Sequence, residues 1–345
     1  MTKKFKLHLK ILSPVHIASG EELSPFNYTI KQEVDNEKPL YKMYQINTFI
    51  FINLLSEDKR KELLNILQSK DDANILQKSC SFIFKEFNYE QYKQAIINTL
   101  IVNPSVYKNY VNMIKTNDFE NGIRTVIKDG KLKPYIPGSS IKGLLRKAFF
   151  FKYNIDKTID INEDPFSLLS VDDMYPNQSR GLGIGYIRDF NYNEFKIKDK
   201  EVNYYIEYMK PKLTFTYNIS IKNNMSKLKY KDEFMKEFSS IENIISLLNN
   251  QYKSMLNSDK EKFVSEKGNI FISNVENIKK TYGDNVAIIN IGRYAGENFK
   301  AIIGKEEKDG KKSYSRRLFT LNNNKDIYDS SEVMPVGWIA VYEEK

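Results

Sequence analysis

Phe5, Leu7, Leu9 and Ile11 alternate with Lys6, His8 and Lys10 near the start of the chain, the period of a strand with one face buried. The stretch 204–221 carries the same signature in Leu213, Phe215, Tyr217, Ile219 and Ile221. Weaker strand patterns cover Phe26–Gln32 and Leu40–Tyr44, and two more, Val171–Met174 and Gly185–Phe190, flank a glycine-rich connection. Val286–Ile291 reads as a short apolar strand and Gly337–Tyr342 as a closing one. Between these runs the period turns helical. The block from Thr48 to Phe119, with charged segments such as Ser56–Leu67 and Tyr89–Leu100, predicts an inserted helical lobe, and Lys227 to about Glu266 predicts a second helical block. Strands thus bracket helices twice, which predicts an α+β protein made of two similar-sized sandwiches. The expected division is 1–225, with the lobe inserted at about 48–120, and 226–345.

One helix start stands out: Tyr135-Ile136-Pro137-Gly138-Ser139-Ser140-Ile141-Lys142-Gly143-Leu144-Leu145-Arg146. Ile141, Leu144, Leu145, Ala148 and Phe149 fall on one stripe and predict a helix to about Tyr153. Pro137 stiffens the approach, Gly138 allows a sharp turn, and Ser139 or Ser140 can cap the first turn by accepting backbone N–H bonds. Lys142 and Arg146 share another face near the positive end of the helix, a poor place for cations on dipole grounds. It becomes a good place if a polyanion comes to that end. The plain alternative is a capped helix with two solvated cations. Gly138 and Gly143 have the first spacing of a P-loop, but Leu144 and Leu145 stand where Lys and Ser or Thr are needed, which excludes nucleotide hydrolysis there. Arg180-Gly181-Leu182-Gly183-Ile184-Gly185 contains G-x-G, yet strand-like residues follow, so the dinucleotide fingerprint fails as well. That segment is either a hairpin touching RNA or a neighbour, or a tight bend.

Composition adds a basic balance: 53 Lys and Arg against 44 Asp and Glu, net +9, compatible with a nucleic acid or another anionic partner. Eight of those cations are arginines, and six of them fall at Arg146, at Arg180 with Arg188, and at Arg293 with Arg316 and Arg317. In a lysine-rich chain an arginine marks a need for its planar fork. The one cysteine, Cys80, excludes an intrachain disulfide and a cysteine-based zinc site, and is expected in the core. The start Met1–Lys6 leads straight into an amphipathic strand, so no leader is expected, and no apolar run is long enough to span a membrane; a cytoplasmic location is expected. Asp172 and Asp173 are adjacent on a strand and point to opposite faces, which argues against a shared metal. Lys305–Lys312 and Asn322–Asp326 read as exposed turns.

Several of these segments together resemble the RAMP superfamily of CRISPR RNA-binding proteins. The opening strand with Ser13-Pro14-Val15-His16-Ile17-Ala18-Ser19-Gly20, the Pro137–Arg146 helix start, and Leu169-Ser170-Val171-Asp172-Asp173 are similar to its first strand and turn, its signature helix and its next strand. Ile291-Gly292-Arg293-Tyr294-Ala295-Gly296 and Met334-Pro335-Val336-Gly337-Trp338 resemble the subunit that caps the backbone of type III-A (Csm) effector complexes, the fifth in that operon's naming. The resemblance implies two ferredoxin-like, RRM-related domains. It implies a place beside the repeating backbone subunit and the small helical subunits, holding the 3′ portion of the crRNA and near target RNA, with no membrane, metal or cofactor. The RNA-facing residues it implies are Gly138, Ser139, Ser140, Lys142 and Arg146 in the helix and Gly292, Arg293 and Gly296 in the C-terminal loop. His16, Gly20, Gly143 and Arg180 complete the candidate set.

His16 is the residue that bears on catalysis, since a histidine beside a glycine turn can serve as acid or base. The rival function is therefore a metal-independent endoribonuclease that processes precursor crRNA through His16. His8, the other histidine, lies inside the first strand. Backbone relatives that cut bound target RNA use a loop aspartate after the first strand, and Glu21–Tyr28 has none. The expectation is a non-catalytic RNA-binding subunit that supports crRNA maturation and assembly.

Overall fold

The computed structural model describes residues 2–69, 72–116, 122–155, 159–178, 181–191, 196–197, 204–222, 228–263, 269–294, 315–321 and 333–344. Strands β1 (Thr2–Ile11), β2 (Ala18–Leu23), β3 (Tyr28–Asp35) and β4 (Lys38–Ile46) come first. A lobe follows with α1 (Thr48–Leu54), α2 (Glu57–Leu67), α3 (Asp72–Glu86), α4 (Tyr89–Tyr92), β5 (Ile96–Ile101) and α5 (Pro104–Thr116). Then come β6 (Ile123–Val126), α6 (Gly138–Lys152), β7 (Leu169–Val171), β8 (Leu182–Asn191), β9 (Lys196–Ile197), β10 (Tyr204–Met209) and β11 (Thr214–Lys222). The chain closes with α7 (Lys231–Glu237), α8 (Ile241–Phe263), α9 (Ile270–Tyr282), β12 (Val286–Asn290), β13 (Ser315–Thr320), β14 (Met334–Pro335) and β15 (Trp338–Tyr342).

The fold is α+β. A five-stranded sheet runs β12-β15-β1-β11-β7, and a second sheet runs β14-β13-β8-β10-β6-β2. In the first, β1 and β7 are both antiparallel to β11, so they are parallel to each other and joined by the crossover that carries α6. Phe5, Leu7, Leu9 and Ile11 turn one face of β1 into the main core, against the α6 stripe of Ile141, Leu145, Ala148 and Phe149 and the apolar residues of α8. The last strand, β15, pairs with β1, His8 opposite Tyr342. The boundary expected near 225 falls between β11 and α7, and both sheets take strands from both sides of it. Strands β3, β4 and β5 form a small separate sheet, whose lobe has its own apolar cluster around Phe51, Leu63, Phe82 and Phe87. Cys80 is buried, as its residue type suggests.

Three sequence readings change. The segment Tyr89–Leu100 is helical only to Ala95, an α-helical turn followed by a 3-10 turn at Lys93–Ala95; its β-branched end, Ile96–Ile101, pairs with β4 instead, where such side chains fit a half-buried sheet. Gly183 and Gly185 are not a connection but part of β8, with Gly181 just before it: a side chain at Gly183 would meet the Tyr208 ring and one at Gly185 the Phe319 ring. Helix α9 and strand β13 lie outside every helix and strand read above from the sequence, although Arg316 and Arg317 fall on β13. Arg180, Gly296, Lys305–Lys312 and Asn322–Asp326 lie outside the described residues.

Gly337 joins the two ends of the chain. Its φ is +91°, and an added Cβ would collide with the Ile291 carbonyl oxygen. Gly337→Ala is therefore expected to cost about 1–3 kcal/mol, read as a lower urea midpoint. Gly130→Ala, with nothing within 4 Å of the added carbon, should leave the midpoint nearly unchanged.

Candidate nucleic-acid interface

The turn after β1 is built by distant partners. Leu12 and Ser13 N–H both donate to the Trp338 carbonyl (2.9 and 3.1 Å), Gly337 N–H donates to the Pro14 carbonyl (2.8 Å), and Val15 exchanges both bonds with Met209. The Ser13 hydroxyl accepts the Trp338 N–H. His16 follows, fully buried. Its Nδ1 lies 2.7 Å from the Glu207 carbonyl, so Nδ1 carries the proton and Nε2 is the acceptor. Nε2 finds no hydrogen-bond partner among the described residues. Burial pulls the His16 pKa down to about 4; the Glu207 carbonyl opposes this, and the Arg293 and Arg124 cations lower it further.

The C-terminal loop closes over this turn. Arg293 N–H donates to the His16 carbonyl at 3.0 Å, and Gly292, at φ +101°, would place a Cβ 2.6 Å from that same oxygen. The Tyr294 ring lies 5.3 Å from the imidazole. Arg124, outside the arginine groups marked from the sequence, completes the cluster. Its guanidinium lies 3.7 Å from the Tyr204 ring centre, donates to the Tyr294 hydroxyl at 2.9 Å and pairs with Glu22 at 3.0 Å. Tyr204 and Tyr294 stack at 5.7 Å. Gly20, with φ +93° and open space around it, lies in an irregular stretch of the β2–β6 pairing. Residues 16, 292 and 293 thus meet around one site, with Arg124, Tyr204 and Glu207 as members that the sequence did not reveal; no contact joins Gly20 to it among the described residues.

The α6 start is a second place. The Gly138 N–H donates to the Asp173 carboxylate at 2.7 Å, and no side chain of the helix caps it. The cap expected from Ser139 or Ser140 is therefore supplied by Asp173, because a full charge reached from the strand side satisfies the helix end better than a hydroxyl. A Cβ on Gly138 would collide with the Val171 carbonyl oxygen, so the close approach it permits is to β7. Lys142 donates to the Leu169 carbonyl at 2.7 Å. Burial lowers its pKa; Asp164 raises it and Arg146 lowers it again. Arg146 pairs with the buried Asp164 and lies over the Phe150 ring. Ser139 and Gly143 remain exposed. Asp172 bonds the Asn218 amide, so the two adjacent aspartates serve different partners. The strand from β6 links the places: Ile127 N–H bonds the Ile17 carbonyl and Ile136 pairs with Met174. Arg316 and Arg317 lie on β13, opposite Phe190 and Asp189.

Among the described residues no group of three or more His, Cys, Asp or Glu is placed to hold a metal ion, and no described helix is long and apolar enough to cross a membrane. The chain belongs to the RAMP superfamily, whose family model matches residues 8–323. Its fold is similar to that of a chain in the cryo-EM structure of a Csm–crRNA–target RNA ternary complex of a type III-A CRISPR-Cas system, with 16% identity, TM-score 0.63, and coverage of 99% of this chain and 100% of that one. It is also similar to crystalline T. onnurineus Csm5, with 15% identity, TM-score 0.57, and coverage of 96% and 99%. Comparison with curated protein sequences gives no match.

Two outcomes follow from this geometry. The unfolded imidazole titrates near 6.5 and the folded His16 near about 4, so the unfolded chain binds more protons between those values. The stability from neutral His16 is complete above the unfolded pKa and is lost as pH falls through that window, by about 3 kcal/mol at most. Urea midpoints measured down to about pH 4 should show the loss, and His16→Gln should flatten it. Gly143→Ala, in an exposed helix interior with nothing within 4 Å, should stabilise the chain by roughly 0.5–1 kcal/mol. A drop in RNA affinity beside that gain marks close approach of RNA to Gly143; unchanged affinity removes Gly143 from the set.

Proposed function

We propose that this chain is a non-catalytic crRNA-binding subunit of a type III-A CRISPR ribonucleoprotein, seated where the backbone ends over the 3′ portion of the crRNA. The observation that carries the reading is the junction at His16. There an N-terminal turn and a C-terminal loop bring the Arg293 and Arg124 cations to bear on one place, with Arg124 lying over the Tyr204 ring, a set suited to phosphate. The likeness in fold over nearly the whole length of a Csm chain agrees with it. Arg293, Arg124 and Tyr204 are the leading contacts, with Gly20 and Gly292 shaping the surface and Ser139, Ser140, Gly143 and the outer faces of Lys142 and Arg146 as a second contact area. Arg180 and Gly296 belong to the same expectation.

Two further features belong to this reading. The order β7-β11-β1-β15, with helices α6 and α8 against one face, supports a ferredoxin-like unit whose fourth strand comes from the other half of the chain. The expected halves, 1–225 and 226–345, are on this reading two such units that exchange strands. His16 supports a non-catalytic role: it is buried, tied through Nδ1 to Glu207 and neutral near pH 7, whereas proton transfer in catalysis needs reach to the substrate and a pKa near the working pH.

The test uses the purified chain and a labelled crRNA. Arg124→Ala with Arg293→Ala should weaken binding and lower the salt slope by about 0.7 for each lost phosphate contact on a single strand, with a retained thermal transition. Equal affinity and equal slope would remove the junction from the account. Cleavage of precursor crRNA in EDTA, dependent on His16, would replace this function with that of an endoribonuclease.

A further inference from the structure

We propose that the open face of the five-stranded sheet, along β1, is a separate contact surface for single-stranded RNA that grips its phosphate backbone. It rests on the RNA-binding reading above but uses none of the residues at the junction. On β1 the side chains opposite the core are Lys4, Lys6, His8 and Lys10, with Lys4 and Lys6 exposed and Lys10 half-buried. Their partners across the ladder on β11 are Ser220, Asn218 and Thr214 for the three lysines. None of these lysines has an ion-pair or hydrogen-bond partner among the described residues, whereas Lys42, Lys59 and Lys128 each hold a carboxylate. The acids near the row are already engaged: Asp172 with the Asn218 amide and Glu344 with His8.

Lysines on strands commonly protect a sheet edge from pairing. That explanation covers Lys4 and Lys6, which lie beyond the β15 pairing of His8–Ile11, but not Lys10, which has a paired strand on either side. Like charges on alternate residues also repel one another, and the β11 residues opposite the lysines carry no charge to offset them, a cost that a linear polyanion would reverse. Two strand residues span roughly 6.8 Å, close to the step between successive phosphates of an extended single strand. From Lys4 to Lys10 the row covers about 20 Å and runs towards the turn that holds His16. On β15 and β12 this side of the sheet is apolar and covered by α9; the open strip along β1 and β11 presents hydroxyls, amides and ammonium groups, without the apolar centre expected of a protein interface. Phosphate is the ligand this chemistry fits.

The experiment measures binding of a fluorescent oligouridylate to the full chain as salt is varied. One variant carries Lys4→Gln, Lys6→Gln and Lys10→Gln; a control of equal charge carries Lys61→Gln, Lys85→Gln and Lys93→Gln, all exposed in the helical lobe. The β1 variant should lose at least about tenfold in affinity at low salt and about 2 units of salt slope, while the control keeps both. Matching thermal midpoints show that both variants fold. No loss in the β1 variant, or the same loss in both, overturns the proposal while leaving the junction standing. Loss in the β1 variant with full binding by Arg124→Ala/Arg293→Ala supports the proposal and removes the junction instead. A wild-type chain that binds no oligouridylate sinks both. Poly-L-glutamate held as tightly as RNA would assign the face to an acidic protein and overturn the proposal.

Discussion

The turn from Leu12 to His16 is buried at every residue, and a buried peptide group left without a partner costs about 1–3 kcal/mol. Its amides and carbonyls therefore dictate where other parts of the chain must lie. Trp338 and Gly337 come from the far end of the sequence, Met209 from β10, Arg293 from the loop after β12, and Ile127 bonds the next residue, Ile17. Satisfying one short turn thus fixes both sheets relative to each other and pins the C-terminal loop over the N-terminal one. The Asn290 amide adds a bond to the Val336 carbonyl from the same side.

The same requirement explains glycines and cations that look, in sequence, like parts of a ligand site. Gly138, Gly292 and Gly337 are glycine because a carbonyl of the chain itself occupies the space a side chain would need. The positive end of α6 already faces the Asp173 carboxylate, and Lys142 and Arg146 already answer Leu169 and Asp164. Removing Arg146 would leave Asp164 a buried carboxylate without its counter-charge. The polar groups at the start of α6 are thus answered largely by the chain itself.

Much of this fold is visible in the order of residues, because burial on one face writes a local period. The alternation in β1 and β11, the apolar run of β12 and the stripe of α6 are all read correctly for that reason. Strand β5 is misread because apolar residues at Ile96, Leu100 and Ile101 fit a helical stripe as well as a sheet; its pairing with β4 decides the matter, and that pairing is long-range. The Asp173 cap and the Arg124 cluster are not local either. Ile206 pairs with Arg124, while Tyr294 joins from a residue 170 positions away. The rarity of arginine was the one available signal for Arg124, and its isolation from other arginines hid it.

Burial of His16 has an electrostatic consequence for the site as a whole. An imidazole that protonated near its usual pKa would add a third positive charge between Arg124 and Arg293. Desolvation keeps it neutral at ordinary pH, and its bond to the Glu207 carbonyl fixes the tautomer. Two cations can then act on the same place without a third beside them, one over the Tyr204 ring and the other anchored by its own backbone to the His16 carbonyl. Cations of this kind attract phosphate without reading the base attached to it. On the proposed reading, that is what a subunit needs in order to hold guides of any sequence, and the neutral histidine is the spacer that lets the cations stand close enough to do it.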